Sequence, residues 1–250
     1  MLSYILRRLA VAVPTILILI VFSFLLMQAA PGGPFQTERG VPPEVLANLE
    51  AKYGLDKPLV VQIWNYVVGV VTRFDFGPSF VYSDQSVNDI IAQGFPVTLT
   101  YGFWSFVVAV TVGVSLGVLA AVYHNSWLDY LAVGVSVGAQ VLPNFVMAPI
   151  LVLVFTLWLG WLPGGGWQGG QWQYLVMPVI ALSTSFMASI ARITRSSMLE
   201  VLNANFIRTA RAKGLPMRRV VLRHALKPAM LPVISYLGPA FVGMITGSVV

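Results

Sequence analysis

The chain has 250 residues, 57% of them apolar, with 15 Lys and Arg set against 9 Asp and Glu. Charged residues make up 10%, against about 25% in soluble domains. Such a balance excludes a disordered chain, which needs low hydrophobicity and high charge, and leaves too few charges to cover a surface facing water, so the excess apolar side chains call for a lipid bilayer.

Arg7 and Arg8 precede an apolar run from Leu9 to Met27. At about 1.5 Å per residue the run reaches about 28 Å, close to the ~30 Å hydrocarbon core. It is longer than the core of a secretory signal, and Gln28-Ala29-Ala30 puts glutamine where cleavage wants a small residue. Residues 1–30 are therefore predicted as an uncleaved transmembrane helix, with Pro14 near its start and Pro31-Gly32-Gly33-Pro34 as its breaker. Residues 31–96 change composition. They hold Arg39, Lys52, Lys57 and Arg73 against Glu38, Glu44, Glu50, Asp56, Asp75, Asp84 and Asp89. This stretch is expected to be an aqueous insertion. A short helix is predicted to start at Pro42-Pro43-Glu44, and the apolar segment Val60 to Val71 is too short to span.

A second span is predicted over 97–122. Gly113 and Gly117, like Gly134 and Gly138, have the spacing that lets helix backbones approach closely. Tyr123 to Asp129 is a short polar connection. Residues 130–161 are too long for one straight helix, and Pro143 and Pro149 are expected to kink or divide them. The glycine-rich loop 163–173 has no Gly-Lys-Ser/Thr ending, so it is not a phosphate loop. A fourth span is predicted over 174–191, and a fifth over 228–250.

Between them, residues 192–227 carry Arg192, Arg195, Arg208, Arg211, Lys213, Arg218, Arg219, Arg223 and Lys227 against Glu200 alone. At roughly +3 kcal/mol for each mid-membrane Arg or Lys, this loop stays out of the bilayer. Positive loops remain cytoplasmic. Arg7-Arg8 and the 192–227 loop then fall on the same side across four spans, and residues 31–96 fall outside. Met198, Leu202 and Phe206 recur at i, i+4 and i+8, an apolar stripe on one helix. Gly214 stops that helix, Pro216 prevents its resumption, and a second helix follows with Arg219, Arg223 and Lys227 aligned. Contact with anionic headgroups explains the charge. It explains Phe206 and the Gly214 turn poorly, and both suit docking into a groove on a cytoplasmic protein better.

The segment Asn205-Phe206-Ile207-Arg208-Thr209-Ala210-Arg211-Ala212-Lys213-Gly214-Leu215 resembles the cytoplasmic motif of binding-protein-dependent ABC transporter permeases of the peptide and nickel class. His224 to Pro232 is similar to the motif's downstream half. The Glu-Ala-Ala triplet of the general motif is occupied by Arg208, Thr209 and Ala210, a departure common in the peptide branch. Met1 to Arg8, Pro31 to Pro34, Tyr53 to Pro58, Phe95 to Leu99, Pro143 to Phe145, Ala191 to Arg195 and Gly247 to Val250 also fit that class, and the wording of Ala225 to Gly243 is most similar to its oligopeptide branch.

The resemblance implies an all-α polytopic membrane protein: a type I importer permease core, 97–250, with five of six expected transmembrane helices present. The family pattern runs on past Val250 into a sixth, so the chain is expected to be truncated. It implies a second, homologous permease subunit, two cytoplasmic ATPase subunits holding ATP and Mg, an extracytoplasmic binding protein and a peptide substrate, in a bacterial inner membrane with the N-terminus cytoplasmic. Residues 205–215 would be the helix seated in an ATPase groove. The same class also carries dipeptides, glutathione or nickel.

The chain itself shows no Walker motif and no nucleophile–base pair of an enzyme. His124 and His224 lack a third ligand for a metal, and the absence of Cys excludes cysteine sites. A stretch with Asp129 as its sole charge between Asp89 and Arg192 builds no nucleic-acid groove. Its bareness also disfavours the alternatives, a self-sufficient channel or secondary transporter. An intramembrane enzyme would have to rest on His124 and Asp129. Gln140, Asn144, Ser183 and Ser185 are the candidate lining of a solute path. Each such hydroxyl or amide is more commonly spent on its own helix backbone.

Overall fold

The computed structural model describes residues 2–29, 54, 56–79, 82 and 85–246. The expected breaker at 31–34, the short helix near Pro42 and the end from Gly247 lie outside the described residues. The chain divides into two compact units, Met1–Gly94 and Phe95–Val250.

In the first unit, α1 (Leu2–Ala29) keeps Pro14 within an unbroken helix. Its side chains are almost all exposed, as suits a helix solvated by lipid. Phe24 is the exception, buried with its ring centroid 5.4 Å from that of Tyr66. Tyr66 sits on α2 (Leu59–Arg73), and burial raises the pKa of its hydroxyl above the ordinary value. The 15 residues of α2 make about 22 Å, too short to cross. Gln62, Gly69 and Val70 form its buried face.

The next helix, α3 (Val87–Val122), corrects the predicted start at 97 by ten residues. Its N-terminus is a reciprocal cap. Ser86 Oγ accepts from the Asp89 N–H at 3.1 Å, and Asp89 Oδ2 accepts from the Ser86 N–H at 3.0 Å. This Ser-x-x-Asp pattern satisfies two donors that a helix end leaves free. Pro96 is carried inside the helix.

The second unit contains the rest of α3 and then α4 (Trp127–Val141), α5 (Asn144–Trp158), α6 (Trp172–Leu202), α7 (Asn205–Ala212) and α8 (Met217–Thr246). α4 and α5 meet at 104°. Pro143 sits at the break with extended φ/ψ, because it can neither donate to α4 nor let its neighbour stay helical. Pro149 stays within α5. α5 ends in a wider π-helical turn from Val152, and α8 carries another over Val220–Ala225. Among the described residues four helices are long and apolar enough to cross a membrane, or five with the bent pair taken as one, in agreement with the five predicted spans.

α3, α6 and α8 pack around Ala109, Ile190, Val233 and Met244. Gly113 and Gly117 make the close approach their spacing predicts. A Cβ on Gly117 would lie 2.5 Å from the Ala191 carbonyl oxygen and 2.6 Å from Thr194 Cβ. Gly134 and Gly138 face open space, so within the described chain that pair joins no helices. The predicted end of the fourth span at 191 is also corrected. α6 runs on to Leu202, so Arg192 and Arg195 are helical rather than part of a loop.

Candidate functional site

α6 ends at Asn203, and the extended residue Ala204 (φ −70°, ψ 151°) turns the chain into α7. The expected stripe of Met198, Leu202 and Phe206 is therefore not on one helix. Met198 and Leu202 on α6 are buried, while Phe206 on α7 is 50% exposed. What anchors α7 is Ile207 and Ala210, at 0% and 5% exposure. They enter a core with Ala121 of α3, Met198 and Leu202 of α6, and Val220, Val221, Ala225 and Ala229 of α8. Burying an Ile side chain fully stabilises by about 1.5–3 kcal/mol. α7 is thus fixed as a unit to the ends of three long helices.

The C-terminus of α7 closes as a Schellman turn. Gly214 N–H donates to the Arg211 carbonyl at 2.9 Å and Leu215 N–H to the Ala210 carbonyl at 3.4 Å. Gly214 has φ +74° with open space around it, so backbone conformation rather than room requires glycine. Leu215 packs against the core that holds Ala210. Pro216 then accepts from Arg219 and Val220 and starts α8.

Asn205, Phe206, Arg208, Thr209, Arg211, Ala212, Lys213 and Gly214 are exposed. Thr209 Oγ1 donates to the Asn205 carbonyl at 3.1 Å. Arg218, Arg219, Arg223 and Lys227 are exposed as well. Among the described residues no acid pairs with any of these cations; the one Arg ion pair is that of Arg195. The result is a rigid, capped helix with an aromatic side chain and seven unpaired positive charges around it. Its chemistry suits an acidic, apolar-floored groove on another protein.

A cleft of about 410 Å³ opens between α5 and α6 beneath the glycine-rich loop. Its polar lining comes from Asn144, Tyr101 and Tyr174, and Gly164 to Gly166 supply bare backbone. Tyr101 Oη donates to the Gly166 carbonyl at 3.4 Å, and its ring meets Trp167 edge-on at 5.4 Å. Among the described residues no charged side chain lines it. Of the four path candidates, Asn144 lines the cleft. Gln140 is exposed near the end of α4. Ser183 is buried and donates to the Ile180 carbonyl at 3.1 Å, and the Ser185 carbonyl accepts from Ser189 Oγ. Thr100 and Thr184 likewise donate to their own helices, the use expected of hydroxyls in spans.

Sequence reasoning missed the strongest polar contact in the unit. Asp129, 2% exposed, lies in the first turn of α4 rather than on a loop. Arg195 of α6 holds it with two hydrogen bonds, Nε to Oδ1 at 2.6 Å and Nη2 to Oδ2 at 2.7 Å. The Asn125 N–H donates to Oδ2 at 3.0 Å, and His124 Nδ1 lies 3.0 Å from the same oxygen. The available signal was that a lone acid in an apolar stretch needs a cationic partner.

The family model described as binding-protein-dependent transport system inner membrane component matches residues 113–250, and the N-terminal model of such membrane components matches residues 1–102. The chain is 57% identical over 250 residues to the oligopeptide transport system permease protein OppB of Salmonella typhimurium, covering all of this chain and 81% of that protein. It is 42% identical to the dipeptide transport system permease protein DppB of Bacillus subtilis and 38% identical to the glutathione transport system permease protein GsiC of Salmonella typhimurium, again over its whole length and over 80% and 81% of theirs.

Proposed function

The chain belongs to the family of binding-protein-dependent transport system inner membrane components, and from that premise we propose that it is the permease subunit of an ATP-driven oligopeptide importer. It is a multi-pass membrane permease and not itself the enzyme that hydrolyses ATP. The gradient of identity, highest to the oligopeptide permease and lower to the dipeptide and glutathione permeases, supports oligopeptides as solute.

The observation that carries the coupling role is α7. Its buried side anchors it to α3, α6 and α8, while Phe206 and the unpaired cations face outward. Residues 205–215 seat in a groove of a cytoplasmic ATPase subunit, where ATP and Mg are held. Two such ATPases, a homologous second permease and an extracytoplasmic binding protein complete the transporter. The N-terminus and residues 192–227 face the cytoplasm, residues 31–96 form the extracytoplasmic insertion, and 97–250 form the permease core. Charge around α7 sets orientation and encounter more than affinity.

Recovery of the tagged, complete protein in mild detergent, with mass spectrometry of what comes with it, tests the assembly. A homologous permease together with ATPase subunits is the expected result. Recovery as a homo-oligomer that transports peptide without ATP would replace this proposal with a channel or secondary transporter.

The cleft is assigned to the solute path. A neutral lining with Asn144 and exposed glycine backbone suits peptide groups, which need hydrogen bonds and no counter-charge. Asn144→Ala is expected to lower peptide uptake by roughly 5- to 30-fold, the loss of one buried hydrogen bond at about 1–2 kcal/mol. Uptake of labelled peptide into proteoliposomes measures it, and an unchanged rate removes the cleft from the path.

A further inference from the structure

The Asp129–Arg195 pair lies outside both the coupling helix and the cleft, yet it stands between them. Arg195 is one turn of α6 away from Met198 and two from Leu202, roughly 5 and 10 Å along the axis, and both of those residues hold α7. Asp129 begins α4, which leads through the Pro143 break into α5, the wall that brings Asn144, Phe145 and Val152 to the cleft.

A narrow gap elsewhere between α4 and α6 is lined on the α4 side by uncharged side chains. Ala132, Val133 and Ser136 of α4 lie near Ala191. Small side chains of this kind let one helix slide along another. The bidentate pair does not, because a carboxylate gripped by a planar guanidinium at 2.6 and 2.7 Å has one register, and moving off it strands a charge in a water-poor site. The Asn125 N–H and His124 lock the same carboxylate to the α3–α4 turn. α3, α6, α7 and α8 share one core, and α5 meets α6 through a separate one around Leu151, Met177 and Ala181, so this pair is the polar contact that fixes the α4 end of the α4–α5 arm.

We infer that the Asp129–Arg195 ion pair is the register lock through which movement of α7 is passed to the α4–α5 wall of the cleft. The two are positioning residues for transport and touch neither solute nor ATPase. The inference rests on the coupling-helix reading of α7.

The test uses the complete transporter, permeases and ATPases together with the binding protein, in proteoliposomes. The readout is ATP hydrolysed per peptide imported, normalised to assembled complex. A purely structural role lowers the amount of complex and leaves this ratio alone. Asp129→Asn is expected to raise the ratio at least tenfold, and Arg195→Lys, which keeps the charge but not the two-point grip, about threefold. An unchanged ratio in both overturns the inference. If Asp129→Asn yields no complex, Arg195→Lys decides alone. Phe206→Asp is run beside them. If it abolishes uptake and ATPase co-purification while the pair variants leave the ratio unchanged, the lock fails by itself. If it leaves the ratio and the uptake untouched, the coupling-helix reading fails.

Discussion

Phe206→Asp is expected to abolish peptide uptake by the assembled transporter while the permease chain keeps its fold. Phe206 is half-exposed, and the side chains buried in the core that holds α7 are Ile207 and Ala210. Removing the Phe206 ring costs the permease little packing. In an ATPase groove the same ring is an aromatic anchor, and truncating such anchors costs about 2–4 kcal/mol of binding. A buried, unpaired carboxylate adds its own desolvation penalty. Loss of the ring alone corresponds to roughly 30- to 1,000-fold in productive docking, and the carboxylate deepens it. Uptake into proteoliposomes and co-purification of ATPase subunits should fall together, while the thermal midpoint of the purified permease stays near that of the parent. A variant that takes up peptide normally would show that α7 docks by charge alone or does not dock.

Gly117→Leu is expected to prevent the second unit from folding stably. Even a methyl at this position would meet the Ala191 carbonyl oxygen at 2.5 Å and Thr194 Cβ at 2.6 Å, and neither is the free end of a flexible side chain. Overpacking a fitted core costs about 1–3 kcal/mol, and more where backbone must move. Without a strong hydrophobic drive between helices in lipid, close packing carries their association, so separating α3 from α6 leaves little to hold them. Thermal denaturation in detergent should show a midpoint lowered by several degrees or no folded protein. Gly138→Leu, where a Cβ would meet nothing within 4 Å, should melt like the parent. Equal midpoints for the two variants would contradict the α3–α6 packing described above.

The two glycine pairs illustrate what a spacing can and cannot say. Both read identically as small-x-x-x-small. One brings α3 against α6, while the other faces nothing in the described chain, since which side of a helix meets a neighbour depends on the neighbour. The apolar stripe of Met198, Leu202 and Phe206 failed for a related reason. Periodicity assumed a continuous helix, and the extended backbone at Ala204 ended it two residues after Leu202. No proline or glycine marks that break, so local propensity held no clear sign of it. The start of α3 does carry a local sign, because Ser86-x-x-Asp89 is a capping pattern that precedes the apolar run by ten residues.

Membrane residence, the spans to within about ten residues, the segment that carries the positive charge and the point where α7 stops were all readable from the residues in order. These properties are local. Transfer free energy is a sum over residues, and Gly214 and Pro216 act on their own backbone. The class of protein was legible for the same reason, since its motif is one unbroken stretch. Three features came from the packed fold: Asp129 is held by Arg195, 66 residues away, Ile207 rather than Phe206 anchors α7, and Asn144 is the one candidate path residue that reaches the cleft. Each depends on how far a helix is rotated about its axis and which helix packs beside it, and long-range packing sets both.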